Sequence, residues 1–128
     1  MYLWIGLCGA LGAVCRFALA GLVGAHTFPC STLLVNLIGC FALALVNVWL
    51  TALPQVPKQV STGIGTGFIG AFTTFSTFSA ENAALLTGKQ YAVLGIYVAV
   101  SLLGGLAAAA VGNRCGVLLV SRTKEGCK

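Results

Sequence analysis

The segment FIGAFTTFSTFSAE, residues 68–81, places hydroxyl groups and phenyl rings side by side in an otherwise apolar chain. Each residue from Thr73 to Ser79 carries one or the other, and the carboxylate of Glu81 follows. Hydroxyl groups donate hydrogen bonds, and a phenyl ring has a positive edge. Together they can replace part of an anion's hydration without a fixed positive charge. The spacing of Phe75 and Phe78 alone is more typical of packing. The hydroxyl-bearing residues beside them are what favour an anion site.

Polar side chains in two other apolar stretches could join this site. Thr32 and Asn36 are one helical turn apart, and so are Tyr97 and Ser101, so each pair shares a helix face. The Asn36 amide offers two donors, and the hydroxyl groups of the second pair offer one each. Both pairs also suit hydrogen bonding between membrane helices, so the sequence leaves the two interpretations open.

Charged residues are scarce, and they argue against an enzyme. Arg16 and Glu81 lie in apolar stretches and form either an ion pair or two separate charges near aqueous entrances. The acidic residues are Glu81 and Glu125, and the one histidine, His26, falls in a predicted loop. The chain therefore offers neither a Ser-His-Asp arrangement nor a pair of nearby carboxylates for acid-base chemistry.

Composition indicates that a membrane positions these residues. The chain has 128 residues, of which 59% are hydrophobic and 7% charged, whereas soluble domains carry about 25% charged residues. A membrane-spanning helix needs roughly 20 apolar residues, and four stretches are long enough. These predicted spans are residues 2–24, 31–53, 60–86 and 91–120. We predict an all-α membrane protein with one four-helix domain over residues 1–128.

The net charge of +5 does not indicate a nucleic-acid partner. Five of the seven cations lie in loops or in a C-terminal tail rather than in a basic stripe with interleaved aromatic residues. The tail residues Arg122, Lys124 and Lys128 favour a cytoplasmic C-terminus, and four spans then put both termini inside. The loops are nearly balanced in charge, so orientation is weakly encoded.

The third span has a composition that weakens helices. Four glycines between residues 63 and 70 precede the run of threonines and serines, and both glycine and β-branched residues disfavour helix. We therefore predict a break between Gly70 and Thr74. Carbonyl groups freed inside a bilayer need protein, water or an ion, and a cation on them would satisfy them.

Small residues and the low number of spans predict self-association. Gly63 and Gly67 form a GxxxG pair, and Gly104, Ala108 and Gly112 form a small-residue stripe that favours close helix packing. Four spans are few for a pore, and a two-fold dimer is the commonest solution. Weak orientation signals would allow two copies to insert in opposite directions.

Three motifs together resemble the Fluc (CrcB) family of fluoride channels. They are GFIGAFTTFSTFSAE at residues 67–81, FPCSTLLVNLIGCF at residues 28–41 and GALGAVCRF at residues 9–17. The resemblance covers essentially the whole chain. It implies a passive, fluoride-selective channel in the plasma membrane that confers fluoride resistance, built as an antiparallel, dual-topology homodimer with two pores.

The resemblance also implies roles for particular residues. Phe75 and Phe78 would present ring edges to fluoride, and Asn36 would donate from its amide. The implied pore residues are Thr32, Asn36, Phe75, Ser76, Thr77, Phe78, Tyr97 and Ser101. A structural sodium ion at the dimer centre would bind the backbone carbonyls of Gly70 and Thr73, and Arg16 and Glu81 would be charges near the entrances.

The chain departs from the family pattern at Ser31, Ala44 and Ala71, where glycine is frequent. Two other functions remain open on the sequence. A proton-coupled exporter of cationic drugs would use Glu81 as its membrane carboxylate, although Glu81 falls late in the third span. A non-transporting membrane scaffold would use the buried donors only to hold helices together.

Overall fold

A computed structural model describes residues 2–23, 28–53 and 56–125, and all regular structure in these residues is helical. The elements are α1 (Tyr2–Val23), α2 (Cys30–Thr51), α3 (Lys58–Thr62), a π-helical segment (Gly63–Ile69), α4 (Gly70–Phe72), α5 (Phe75–Thr87) and α6 (Tyr91–Glu125). His26, Gly24 and Lys128, which the sequence analysis considered, lie outside the described residues.

Among the described residues, three helices are long and apolar enough to cross a membrane: α1, α2 and the part of α6 from Tyr91 to Arg122. The third predicted span is divided into two helical parts on either side of Thr73 and Thr74, whose backbones are extended. The predicted break is therefore confirmed. The predicted bounds of α2 differ by two residues or fewer, but α6 runs five residues beyond the predicted Val120, so Arg122 and Lys124 are helical and not in a loose tail.

The first half of the third span winds as a π-helix, which the sequence analysis did not predict. The segment GIGTGFI contains three glycines, which impose little preference for α-helical winding. It packs directly on α1, where an added Cβ on Gly12 would overlap the Phe68 carbonyl and one on Gly67 would lie 2.7 Å from the Ile5 carbonyl. The predicted close packing through small residues is confirmed here.

A second seam of small residues joins α2 to α6. A Cβ on Gly104 would lie 3.0 Å from the Leu37 side chain, and one on Gly112 would overlap the Phe41 carbonyl. Residue numbers rise together along both helices, so α2 and α6 run parallel. The two seams hold α1 with the third span and α2 with α6, and the helix break lies between these pairs.

The cysteines differ in burial. Cys8 is buried, Cys40 and Cys115 are half-buried, and Cys15 and Cys30 are exposed on the subunit.

Candidate functional site

The helix break is held by the side chain of Asn36. Its Nδ2 donates to the carbonyl oxygen of Thr74 at 3.0 Å, and its Oδ1 accepts from the backbone nitrogen of Thr74 at 2.8 Å. One amide thus satisfies both backbone groups of an extended residue, which would otherwise be costly to leave unpaired in a membrane. The amide has a second N–H, so Asn36 can link α2 to the break and still donate to a ligand.

Thr74 also caps α5. Its Oγ1 accepts from the backbone nitrogen of Thr77 at 3.2 Å and lies 2.9 Å from the Thr77 hydroxyl and 3.3 Å from the Ser76 hydroxyl. The first N–H groups of a helix have no partner within it, and an N-cap oxygen satisfies one of them. Thr74 is not among the predicted site residues, although a threonine just before a helical run is a known N-cap signal.

These diverted hydrogen bonds free two carbonyl groups. In an uninterrupted helix, the Gly70 carbonyl would accept from the nitrogen of Thr74, which instead donates to Asn36. The Thr73 carbonyl would accept from the nitrogen of Thr77, which instead donates to Thr74 Oγ1. Gly70 keeps a 3.4 Å contact from the Thr73 hydroxyl. The two carbonyls named in the sequence analysis therefore both lose their helical donors.

Gly39 fixes how closely α2 approaches the break. A Cβ at this position would overlap the methyl group of Thr73 and lie 3.7 Å from the Phe72 ring. Only a residue without a side chain fits beneath Thr73 as it stands. No local sequence pattern indicates that glycine is needed at this position, because the need depends on contact with a segment far along the chain.

On one side of the break lies a cleft of about 350 Å³, which we call the Phe cleft. Its lining residues are Asn36, Gly39, Cys40, Leu43, Thr73, Thr74, Phe75, Phe78, Ser101 and Leu102. The rings of Phe75 and Phe78 are 6.0 Å apart and tilted by 36°. The hydroxyl oxygen of Ser101 is buried and has no hydrogen-bond partner. The Phe cleft is thus mostly apolar but contains unused donors.

On the other side lies a smaller cleft of about 260 Å³, the Glu81 cleft. Its lining residues are Arg16, Phe17, Ala20, Ser31, Thr32, Val35, Thr74, Thr77 and Glu81. The Glu81 carboxylate accepts from the Thr32 hydroxyl at 2.8 Å and from the Tyr97 hydroxyl at 2.7 Å. Arg16 shares the cleft without forming an ion pair with Glu81, so the two stand as separate charges. Thr74 lines both clefts.

The predicted pore residues therefore fall into groups. Asn36, Phe75, Phe78 and Ser101 come together in the Phe cleft, whereas Thr32 and Thr77 line the Glu81 cleft. Tyr97 is 0% exposed and lies behind Phe78, with ring centroids 5.1 Å apart, rather than on either cleft. Ser76 is exposed on the surface of the subunit beside Thr74.

Known proteins resemble this chain along most of its length. A family model described as CrcB-like protein, Camphor Resistance (CrcB), matches residues 3–113. The fluoride-specific ion channel FluC 1 of Bacillus cereus is 43% identical over 126 residues, covering 96% of this chain and 88% of the relative. The fluoride-specific ion channel FluC 2 of Listeria innocua is 44% identical over 121 residues, covering 94% of each chain. The chain therefore belongs to the CrcB family, whose named relatives are membrane ion channels and not enzymes.

Proposed function

We propose that the chain forms a passive, fluoride-selective channel in the plasma membrane, through which trapped fluoride leaves the cell down its gradient. The observation that carries this proposal is the Phe cleft, where two phenyl rings, the unpartnered Ser101 hydroxyl and the spare N–H of Asn36 surround one space. The names of the relatives support fluoride as the ion. Export of fluoride would give fluoride resistance.

Conduction requires donors that replace water and yet release the ion. Fluoride is a small, strong hydrogen-bond acceptor, and the donors in the Phe cleft are neutral, so none of them holds the ion as a fixed cation would. The ring edges of Phe75 and Phe78 add weak positive potential while the rings exclude water. From there, the hydroxyl groups of Thr74 and Thr77 lead toward the Glu81 cleft, so we assign the path to both clefts with Thr74 between them.

Exposed polar groups on α5 support a homodimer. Phe75 is 79% exposed, and Ser76, Thr77 and Ser79 are also exposed on the isolated subunit. Hydroxyl groups and a broken backbone facing lipid would be unfavourable, and a second copy packed on this face would cover them. In our proposal the two copies are antiparallel, with dual topology, and each contributes to one of two pores.

The freed carbonyls of Gly70 and Thr73 fit a structural sodium ion. Hard cations prefer oxygen ligands, and both carbonyls have lost their helical donors. Both belong to the break beside the exposed start of α5, so a two-fold dimer would bring four such oxygens to its centre. When bound, the ion would interact favourably with these carbonyl oxygens and would join the helix breaks of the two subunits. It takes no part in the movement of fluoride.

The proposal is tested by flux from liposomes. Purified protein is reconstituted into vesicles loaded with fluoride and chloride, and each anion is followed with an electrode under a potassium and valinomycin clamp. We expect rapid fluoride efflux with chloride retained. Absence of fluoride efflux from verified dimers in sodium-containing buffer would contradict the proposal, and Glu81-dependent transport of a cationic drug would then favour the exporter.

Replacement of sodium by a large organic cation should dissociate the dimer or abolish flux if the sodium site is present.

A further inference from the structure

Four helix ends meet at one end of the bundle, which we call the terminal end. Trp4, at the start of α1, packs against Gly63, which directly follows α3. A short connection joins α2 to α3, so the end of α2 lies there too. Gly116 of α6 contacts Val48 near the end of α2. The terminal end is therefore formed by the starts of α1 and α3 and the ends of α2 and α6.

The end of α6 projects beyond its neighbour there. α6 has 35 residues and α2 has 22. Because Gly116 is level with Val48 and the helices run parallel, Thr51 at the end of α2 is level with Leu119. The six residues from Val120 to Glu125 then extend past α2 by roughly 9 Å, at about 1.5 Å per residue.

Aromatic residues mark the depth of the membrane boundary at this end. Both tryptophans of the chain, Trp4 and Trp49, lie near the terminal end and are 46% and 39% exposed. Tyr2, in the first turn of α1, is 87% exposed. Tryptophan and tyrosine are enriched where the hydrocarbon meets the headgroups. The residues of α2 that follow Trp49, and the residues of α6 beyond the level of Trp49, therefore lie among the headgroups.

Positive charge is concentrated at the same end. The chain has seven lysines and arginines. Four of them belong to the C-terminal half of α6 or to the start of α3. These four are Lys58, Arg114, Arg122 and Lys124. The opposite end has Lys89 in the turn between α5 and α6, and Arg16 lines the Glu81 cleft. Arg122 is exposed and lies in the part of α6 that projects beyond α2. This part also contains Lys124 and Glu125, so its formal charge is +1.

We propose that the terminal end binds the headgroups of anionic phospholipids through the projecting segment of α6, residues 120–125. Clustered basic residues immediately outside a membrane span attract anionic lipids, and the attraction weakens with salt. The occupant is a lipid and not a soluble phosphate compound, because Arg122 ends an apolar span and lies just beyond an aromatic boundary. This binding is independent of ion conduction and of the orientation of a partner copy.

The two tryptophans allow a direct test, since both report on this end alone. The full chain is reconstituted into vesicles that contain both phosphatidylcholine and phosphatidylglycerol. In each preparation one of the two lipids is brominated at carbons 6 and 7, and the quenching of tryptophan fluorescence by that lipid is measured. We expect phosphatidylglycerol to be preferred about fivefold near the tryptophans, the size expected for one or two interfacial cations. At constant ionic strength, added inorganic phosphate should leave the preference unchanged, whereas a higher salt concentration should reduce it.

Substitutions at the two ends of the bundle show which cations cause the preference for phosphatidylglycerol. In the double variant Arg122→Gln and Lys124→Gln, the preference should fall to about one. The charge-retaining pair Arg122→Lys and Lys124→Arg should keep it, and so should Lys89→Gln at the opposite end. Equal quenching by both lipids in the unaltered chain would overturn the proposal. A preference that survives the double variant, or that free phosphate removes, would overturn it equally.

Discussion

The two clefts on either side of Thr74 differ in how their polar groups are paired. In the Glu81 cleft, the carboxylate has a hydroxyl partner on each oxygen, one from α2 and one from α6. In the Phe cleft, the Ser101 hydroxyl has no partner, and Asn36 uses one of its two N–H groups. The carboxylate of the Glu81 cleft is therefore paired on both oxygens, whereas the Phe cleft holds unused neutral donors.

Fully paired polar groups and unpaired donors have different effects on stability and on ligand binding. A buried polar group that is fully paired stabilises a fold, because its removal leaves a partner unsatisfied. A buried donor without a partner carries a cost that a ligand can remove when it binds. We therefore expect the ion to bind in the Phe cleft, whereas the hydrogen bonds of Glu81 join three helices. The substitutions below test this division.

The largest effect is expected for Asn36→Asp. An ionised aspartate can still accept from the Thr74 nitrogen but cannot donate to the Thr74 carbonyl, and it places a negative charge in the Phe cleft. A penalty of about 3 kcal/mol would reduce fluoride flux by about a hundredfold or more. Flux is measured in liposomes after the dimer has been verified by gel filtration.

The matched control is Asn47→Asp, the same chemical change on the same helix but near its exposed end. It should retain flux within a few-fold of the unaltered chain. Equal losses in both variants would mean that charge anywhere on α2 is harmful, and the special role of Asn36 would be wrong.

A smaller effect is expected for Gly39→Ala, which tests whether the break must keep its present position. The added methyl group would overlap Thr73, so α2 and the break must separate. Overpacking costs about 2 kcal/mol, which corresponds to roughly a thirtyfold loss of flux if the conducting shape is what is disturbed. Gly21→Ala is the control, because nothing lies within 4 Å of that position. Equal flux in the two alanine variants would contradict the close contact.

The sequence predicts the break better than it predicts the partners around it. Glycines and β-branched residues near Gly70 are local signals, and they give the position of the break to within a few residues. The partner of Asn36 depends on how α2 aligns with a segment 38 residues away, which no local pattern encodes. The same holds for Tyr97, whose hydroxyl group donates to Glu81 and which does not line the Phe cleft.

The finest test compares the loss of one hydroxyl group on each side of the break. Tyr97→Phe leaves one oxygen of Glu81 unpaired, so we expect the protein to lose about 1–3 kcal/mol of stability. Ser101→Ala removes a buried hydroxyl that has no partner, so stability should stay unchanged or rise slightly, while flux falls roughly fivefold for a lost donor worth ~1 kcal/mol. Thermal unfolding in detergent and flux in liposomes are measured on both variants. If Ser101→Ala were the less stable of the two and kept full flux, the roles of the two clefts would be reversed, because the unpaired hydroxyl would then be structural.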